Sequence, residues 1–194
     1  FTAATKIMVI TMSISSALGA VIMPRTSNLI AEERMDEFKA LVQKSYDFIF
    51  ALAMPLMVGL IFTSPSAVLL LSGEGFVPAI LTSQIVAFNI LTVGLSGVMG
   101  IQVLYPLGKI NIVILCTSIG AIINVFLNVL LIPRYGHNGT AVAYMLAEMT
   151  VTVSMFFIGK RYIPIRFLKR QHLNYVLGSV VMGCLLYTSD AADD

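Results

Sequence analysis

Five long apolar runs constrain this chain more than any other feature: Ile7 to Met23, Phe48 to Phe62, Ile80 to Leu104, Ile110 to Ile132, and Ala141 to Ile158. The hydrocarbon core of a bilayer is about 30 Å thick, and about 20 helical residues cross it. Inside it every backbone polar group must be bonded within the segment, so such runs are α-helices. The 194 residues are 58% hydrophobic and only 11% charged, where a soluble domain has about 25% charged residues. Too little polar sequence remains to coat five such helices in water. The fold class is therefore all-α: a polytopic transmembrane helical bundle. It has five complete spans, A to E, and a truncated sixth, F, that begins near Leu173.

Both ends of the chain carry expectations. The first residue is Phe1 and no charged lead precedes a short apolar segment. No signal peptide is expected, and the chain is read as starting inside a longer gene product. At the other end, CLLYTSDAADD interrupts span F after Gly183. Aspartate at membrane depth costs about 2.5 to 3.5 kcal/mol. The peptide also back-translates into the end of a sequencing-library adapter. Residues 1–183 are accordingly read as the bundle fragment and 184–194 as a translated, non-native tail. Without Asp190, Asp193 and Asp194 the net charge rises from +2 to +5.

The loops orient the spans. Arg25, Arg34, Lys39 and Lys44 lie between A and B; Lys109 lies between C and D; Lys160, Arg161, Arg166, Lys169 and Arg170 follow E. Alternate loops face one side, which therefore collects ten positive residues against Lys6 and Arg134 on the other. The positive-inside rule puts the ten in the cytoplasm. The A–B loop has helical spacing, with Ala31, Met35, Phe38 and Val42 on one face. It reads as an amphipathic helix along the membrane surface or as a solvated connecting helix. The short SAVLLL between B and C is expected either to dip into the outer face or to cap the bundle.

Residues four apart share a helix face. Read so, each complete span carries a polar or small-residue stripe: Thr11, Ser15, Gly19 on A; Asp47, Ala51, Pro55, Gly59 on B; Asn89, Thr92, Ser96, Gly100 on C; Cys116, Gly120, Asn124, Asn128 on D; Tyr144, Glu148, Thr152 on E. Small residues let membrane helices approach, and amides bond between them. The alternative is a water-filled cavity that passes polar cargo. Glu148 stands apart, because an ionisable group within a span is expensive and is a functional candidate by default. The bland alternative is a protonated carboxyl bonded to a neighbour. Asp47, at the cytoplasmic end of B, reads as interfacial. Pro55 is expected to kink B.

Motifs of covalent chemistry are missing from the sequence. It has no phosphate-binding Gly-Lys loop, His/Glu metal pair or nucleophile motif. Cys116 and Cys184 form no disulfide or metal pattern. His137 and His172 are placed in loops with no partner at ligand spacing, and Asn138-Gly139-Thr140 is a chance-level glycosylation sequon. No loop is large enough for a soluble catalytic domain. Transport is favoured over catalysis, with no catalytic residue, metal, cofactor or nucleic-acid partner expected.

The segments ALGAVIMPRTSNLIA, PLMVGLIF, LLSGEGFVPA, GIQVLYPLGKIN and IINVFLNVLLIPRYGHNGTAVAYMLAE, with the basic loop after them, resemble the second half of bacterial oligosaccharide flippases. These belong to the multidrug/oligosaccharidyl-lipid/polysaccharide flippase superfamily. The resemblance runs from about Ala3 to Gly183. It implies two pseudo-symmetric helical bundles around a central cavity that opens alternately to each side, of which this chain holds most of the second. It implies an undecaprenyl diphosphate-linked oligosaccharide as cargo, an ion gradient or membrane potential as driving force, a bacterial cytoplasmic membrane location, and contact with polysaccharide assembly proteins. Carried onto this chain, Lys6 and Arg25 would attract the lipid diphosphate, or else anchor span A at the two interfaces. Asn89, Asn124 and Asn128 are cavity candidates, the last two for sugar hydroxyls. Glu148 would carry a coupling proton or pair with a cation, or simply bond to the amides of D. The rivals are a multidrug or lipid II exporter of the same superfamily and a membrane enzyme of polysaccharide assembly. The latter would be expected to carry a long outer loop rich in Arg and His.

Overall fold

The computed structural model describes residues 19–163 and 169–193. Lys6, Thr11, Ser15 and most of span A lie outside them, as does Arg166. The described residues are helical apart from short connecting turns and contain no strand. Among the described residues, three helices are long and apolar enough to cross a membrane, within Met35–Leu70, Ala79–Leu104 and Ile110–Gly159.

Helix α1 covers residues 19–31. The chain then reverses at Glu33, a non-glycine residue with φ of 58°. Arg34 grips both carboxylate oxygens of Glu37 at 2.8 and 2.7 Å and reaches Glu32 at 2.8 Å. These pairs are exposed, so they shape the turn more than they stabilise the protein.

Helix α2 runs from Met35 to Ser72, about 57 Å at 1.5 Å per residue, well beyond a bilayer core. Phe38, Val42, Tyr46, Ile49, Ala53, Met57 and Leu60 recur every three or four residues and are all buried, the signature of one core-facing stripe. Phe38 and Val42 pack with Leu29, Val103, Leu104 and Ile163. The predicted amphipathic face is thus real, but its partner is the protein, and the segment is the start of α2 rather than a separate surface helix. SAVLLL likewise neither dips nor caps. It is the end of α2, with Val68 buried beside Ala79 and Val86. Gly73, at φ 80°, stops the helix and bonds its N–H to Leu69 O at 2.9 Å, the usual service of a glycine past a helix end.

Helix α3, Ala79–Gly97, runs into a wider π-type stretch, Val98–Leu104. It lies antiparallel to α2: Gln84 donates to Ile61 O at 3.2 Å, and Gly94 lies against Ile49. Helix α4, Ile110–Gly159, would be about 75 Å long if straight. It breaks at Gly136, whose φ 54° and ψ −130° are not helical. Residues 110–135 and 137–159 form two arms that fold on each other. Cys116 packs in one buried cluster with Val151, Gly120 lies against Val151, and Gly139 against Leu131. The two arms hold the apolar runs Ile110 to Ile132 and Ala141 to Ile158.

Gly136 is exposed with open space around it, and its angles match the first central position of a type II′ turn, where glycine is strongly preferred. Gly136→Ala is expected to cost about 1 to 3 kcal/mol from backbone strain alone, read as a lower midpoint in thermal unfolding of the purified full-length protein.

The second arm of α4 runs parallel to α3. Thr82 donates to Asn138 Oδ1 at 2.6 Å and Thr152 to Thr92 O at 2.8 Å. Helix α5, Arg170–Asp193, is unbroken past Cys184. It lies parallel to α2, with His172 at Asp47 and Gly183 at Val58 and Phe62. These directions gather charge at one end of the bundle. There Lys109 sits over the Tyr162 ring at 5.7 Å, and Lys169 meets Asp47. The opposite end holds Pro78 and His137, 3.2 Å apart between carbonyl and ring, with Arg134 close by in sequence.

Candidate functional site

A groove of about 520 Å³ opens between the lower part of α3, its π-type continuation and both arms of α4. Its walls are mostly Val, Ile, Ala and Gly, as membrane depth demands. Its polar lining is Ser96 from α3, Thr117 and Asn124 from the first arm, and Tyr144 and Glu148 from the second. The site exists because three local features coincide. Gly120 lets the arms close on each other, since a Cβ there would run into Val151. The π-type stretch carries Gly100 and Ile101 into the wall, and such stretches recur at functional sites. The Gly136 turn sets Asn124 and Glu148 on facing arms of one hairpin.

Asn124 and Glu148 therefore line the same groove from facing arms. Asn128 lies one turn along and donates to both Asn124 O and Asn124 Oδ1, at 2.9 and 3.0 Å. This fixes the Asn124 amide with its oxygen occupied and leaves its Nδ2 group to donate to the groove. Glu148 is half-buried and no cation meets its carboxylate among the described residues. Its backbone oxygen accepts from Thr152 at 2.8 Å. A carboxyl, a phenol, an amide and two hydroxyls in an apolar wall can hydrogen-bond a polar or cationic group. No cluster of three His, Cys, Asp or Glu residues with metal-holding geometry occurs among the described residues.

Asn89 is placed elsewhere. It is fully buried on α3, and neither amide atom has a hydrogen-bond partner among the described residues. Arg25 is exposed on α1. His172 departs from expectation: it is no loop residue but stands in the first turn of α5 with 1% of its surface exposed. It faces Asp47, which the sequence reading left at the interface. The available signal was local, a histidine three residues after the last loop residue before a helix.

Together these features define a multi-pass membrane protein, an apolar helical bundle with a polar groove at membrane depth and no catalytic constellation among the described residues. The family model described as lipid II flippase MurJ matches residues 4–192. The chain belongs to this family of lipid flippases. The "probable low-salt glycan biosynthesis flippase Agl15" of Haloferax volcanii is 24% identical over 184 residues, covering 95% of this chain and 39% of that protein. The membrane protein MJ1068 of Methanocaldococcus jannaschii is 22% identical over 161 residues, covering 83% of this chain and 32% of that protein. A solved structure of lipid II flippase MurJ in an inward closed conformation superposes with a TM-score of 0.80 at 16% identity, over 96% of this chain and 40% of that one. The fold is thus shared, and the chain spans about two fifths or less of the length of these relatives.

Proposed function

We propose that the protein carrying this bundle moves a polyprenyl diphosphate-linked glycan across its membrane. The observation that carries this is the match of the lipid flippase family along residues 4–192. The groove supports it: Asn124 and Tyr144 offer hydrogen bonds suited to sugar hydroxyls, within walls that otherwise suit lipid. In this reading the chain is most of one bundle of a two-bundle flippase, with five complete spans and a sixth in α5. The alternating helix directions support that count, because each arm of α4 then crosses once. The described cations support the orientation. Arg25, Arg34, Lys39, Lys44, Lys109, Lys160, Arg161, Lys169 and Arg170 lie at or beyond one end and Arg134 at the other. The positive-inside rule makes the first end cytoplasmic. Lys6 and Arg25 would meet the diphosphate, and Glu148 would carry a coupling proton or pair with a cation.

Two cargoes have support. An undecaprenyl-linked oligosaccharide repeat unit, in a bacterial cytoplasmic membrane, fits the sequence resemblance and the glycan-biosynthesis name of the Haloferax relative. Lipid II fits the name of the family model. Expression of the full-length gene in two bacterial strains separates them, one depleted of its lipid II flippase and one lacking its repeat-unit flippase. Restored surface polysaccharide without restored growth of the first strain is the result expected for a repeat-unit carrier, and the reverse for a lipid II carrier. Rescue of neither, with the protein present in the membrane, would sink the glycan-flippase reading.

A further inference from the structure

Helix α5 has one substantial neighbour among the described helices, α2. Leu173, Leu177, Val180 and Val181 on its other faces are exposed. In lipid such faces gain nothing by being covered, because acyl chains are as apolar as leucine, so specific polar bonds and close packing decide where a helix sits. Close packing occurs at Gly183, against Val58 and Phe62, and at Gly59, against Met182. The polar bonds are at the start of α5. Asp47 Oδ2 takes Lys169 Nζ at 2.5 Å. Asp47 Oδ1 takes Gln43 Nε2 at 2.8 Å and faces His172 Nε2 at 3.1 Å. The other ring nitrogen of His172, Nδ1, accepts the backbone N–H of Lys169 at 3.1 Å. An Nδ1 that accepts carries no proton, so Nε2 is the protonated nitrogen and donates to Asp47.

His172 thus has two jobs in one ring. Through Nδ1 it caps the start of α5, as the third helical residue does in a capping box. Through Nε2 it ties that cap to α2. The ring is held in place by Tyr46, edge-on at 5.5 Å between centroids, and by Phe50 at 4.7 Å. Tyr46 in turn meets Phe156 of α4 edge-on at 5.8 Å. We propose that Asp47, Lys169 and His172 form a latch that docks α5 onto α2 at the basic end of the bundle, so that breaking this contact lets the helix swing away while the rest of the bundle stays in place.

The test uses the full-length protein in lipid nanodiscs, freed of other cysteines. Spin labels go on Phe48→Cys of α2 and Val181→Cys of α5, both exposed positions. A control pair joins Phe48→Cys to Val153→Cys on α4. Pulsed electron-electron resonance then reads both distances. With the latch intact each pair gives a single population. Asp47→Asn should add a population to the α2–α5 pair, displaced by about 5 Å or more, the size of a one-turn shift, and leave the control pair unchanged. His172→Gln, whose amide nitrogen stands near Nε2, should keep more of the docked population than His172→Asn, whose oxygen stands near Nδ1. An unchanged α2–α5 distance in Asp47→Asn, or equal broadening of both pairs, would overturn the proposal. If Asp47→Asn is not made, Lys169→Met combined with His172→Asn, which removes both groups that Asp47 holds at the start of α5, should add the same displaced population, and its failure to do so overturns the latch equally. None of these readings depends on what the protein transports.

Discussion

Full-length protein with Gly120→Val should lose most of its folded population when extracted into mild detergent. The reason is local. A Cβ at position 120 meets the Val151 side chain at once, and the Ala147 carbonyl oxygen lies 3.4 Å away. One side of that contact is backbone and cannot rotate aside. Overpacking a well-filled core costs about 1 to 3 kcal/mol, and valine adds two methyl groups beyond the colliding Cβ. Gly120→Ala should give a milder loss, which Val151→Ala should largely relieve, since the shortest clash involves a Val151 methyl group. The four proteins make a double-mutant cycle read by thermal unfolding. Simple additivity would mean the arms of α4 do not touch there.

Glu148→Gln should cut transport at least tenfold, about 1.4 kcal/mol, in a membrane-vesicle or complementation assay, with protein levels unchanged. Glutamine keeps the shape and the hydrogen-bonding capacity of the side chain and removes its titratable charge. A carboxyl at membrane depth is costly to keep. Here no cation offsets that cost among the described residues, and the groove beside it is polar on both arms. Undiminished transport by the glutamine variant would reduce Glu148 to a hydrogen-bonding residue and would remove it from any role in ion coupling.

The α4 hairpin was legible in the sequence because its two apolar runs are separated by Pro133 and a short glycine-bearing segment, which limit the neighbours to each other. The face of Phe38 and Val42 was legible too, since periodicity reports which side of a helix is covered. Periodicity does not report by what, so the sequence leaves a membrane-surface helix and a solvated connecting helix open, and neither is the protein partner that covers this face. The stripe on α3 shows the same limit more sharply. Asn89, Ser96 and Gly100 share one face, yet only the last two line the groove, because α2 and the second arm of α4 cover the upper part of α3. The contact between Asp47 and His172 spans 125 residues of chain. No local pattern encodes such a pair; only the parallel packing of α2 and α5 brings it about.

The Gly136 turn has a consequence for how the chain is made. Two apolar arms joined at a tight bend can enter a bilayer as a pair during synthesis, each satisfying its own backbone as it goes. Asn124 and Asn128 already bond each other within one arm, so part of the polar content crosses with its partners in place. The leading tip carries Arg134 and His137, a single fixed charge to be carried over. The groove, whose polar lining lies mainly on these two arms, is then largely assembled by one insertion event, before the helix that the latch docks has left the ribosome.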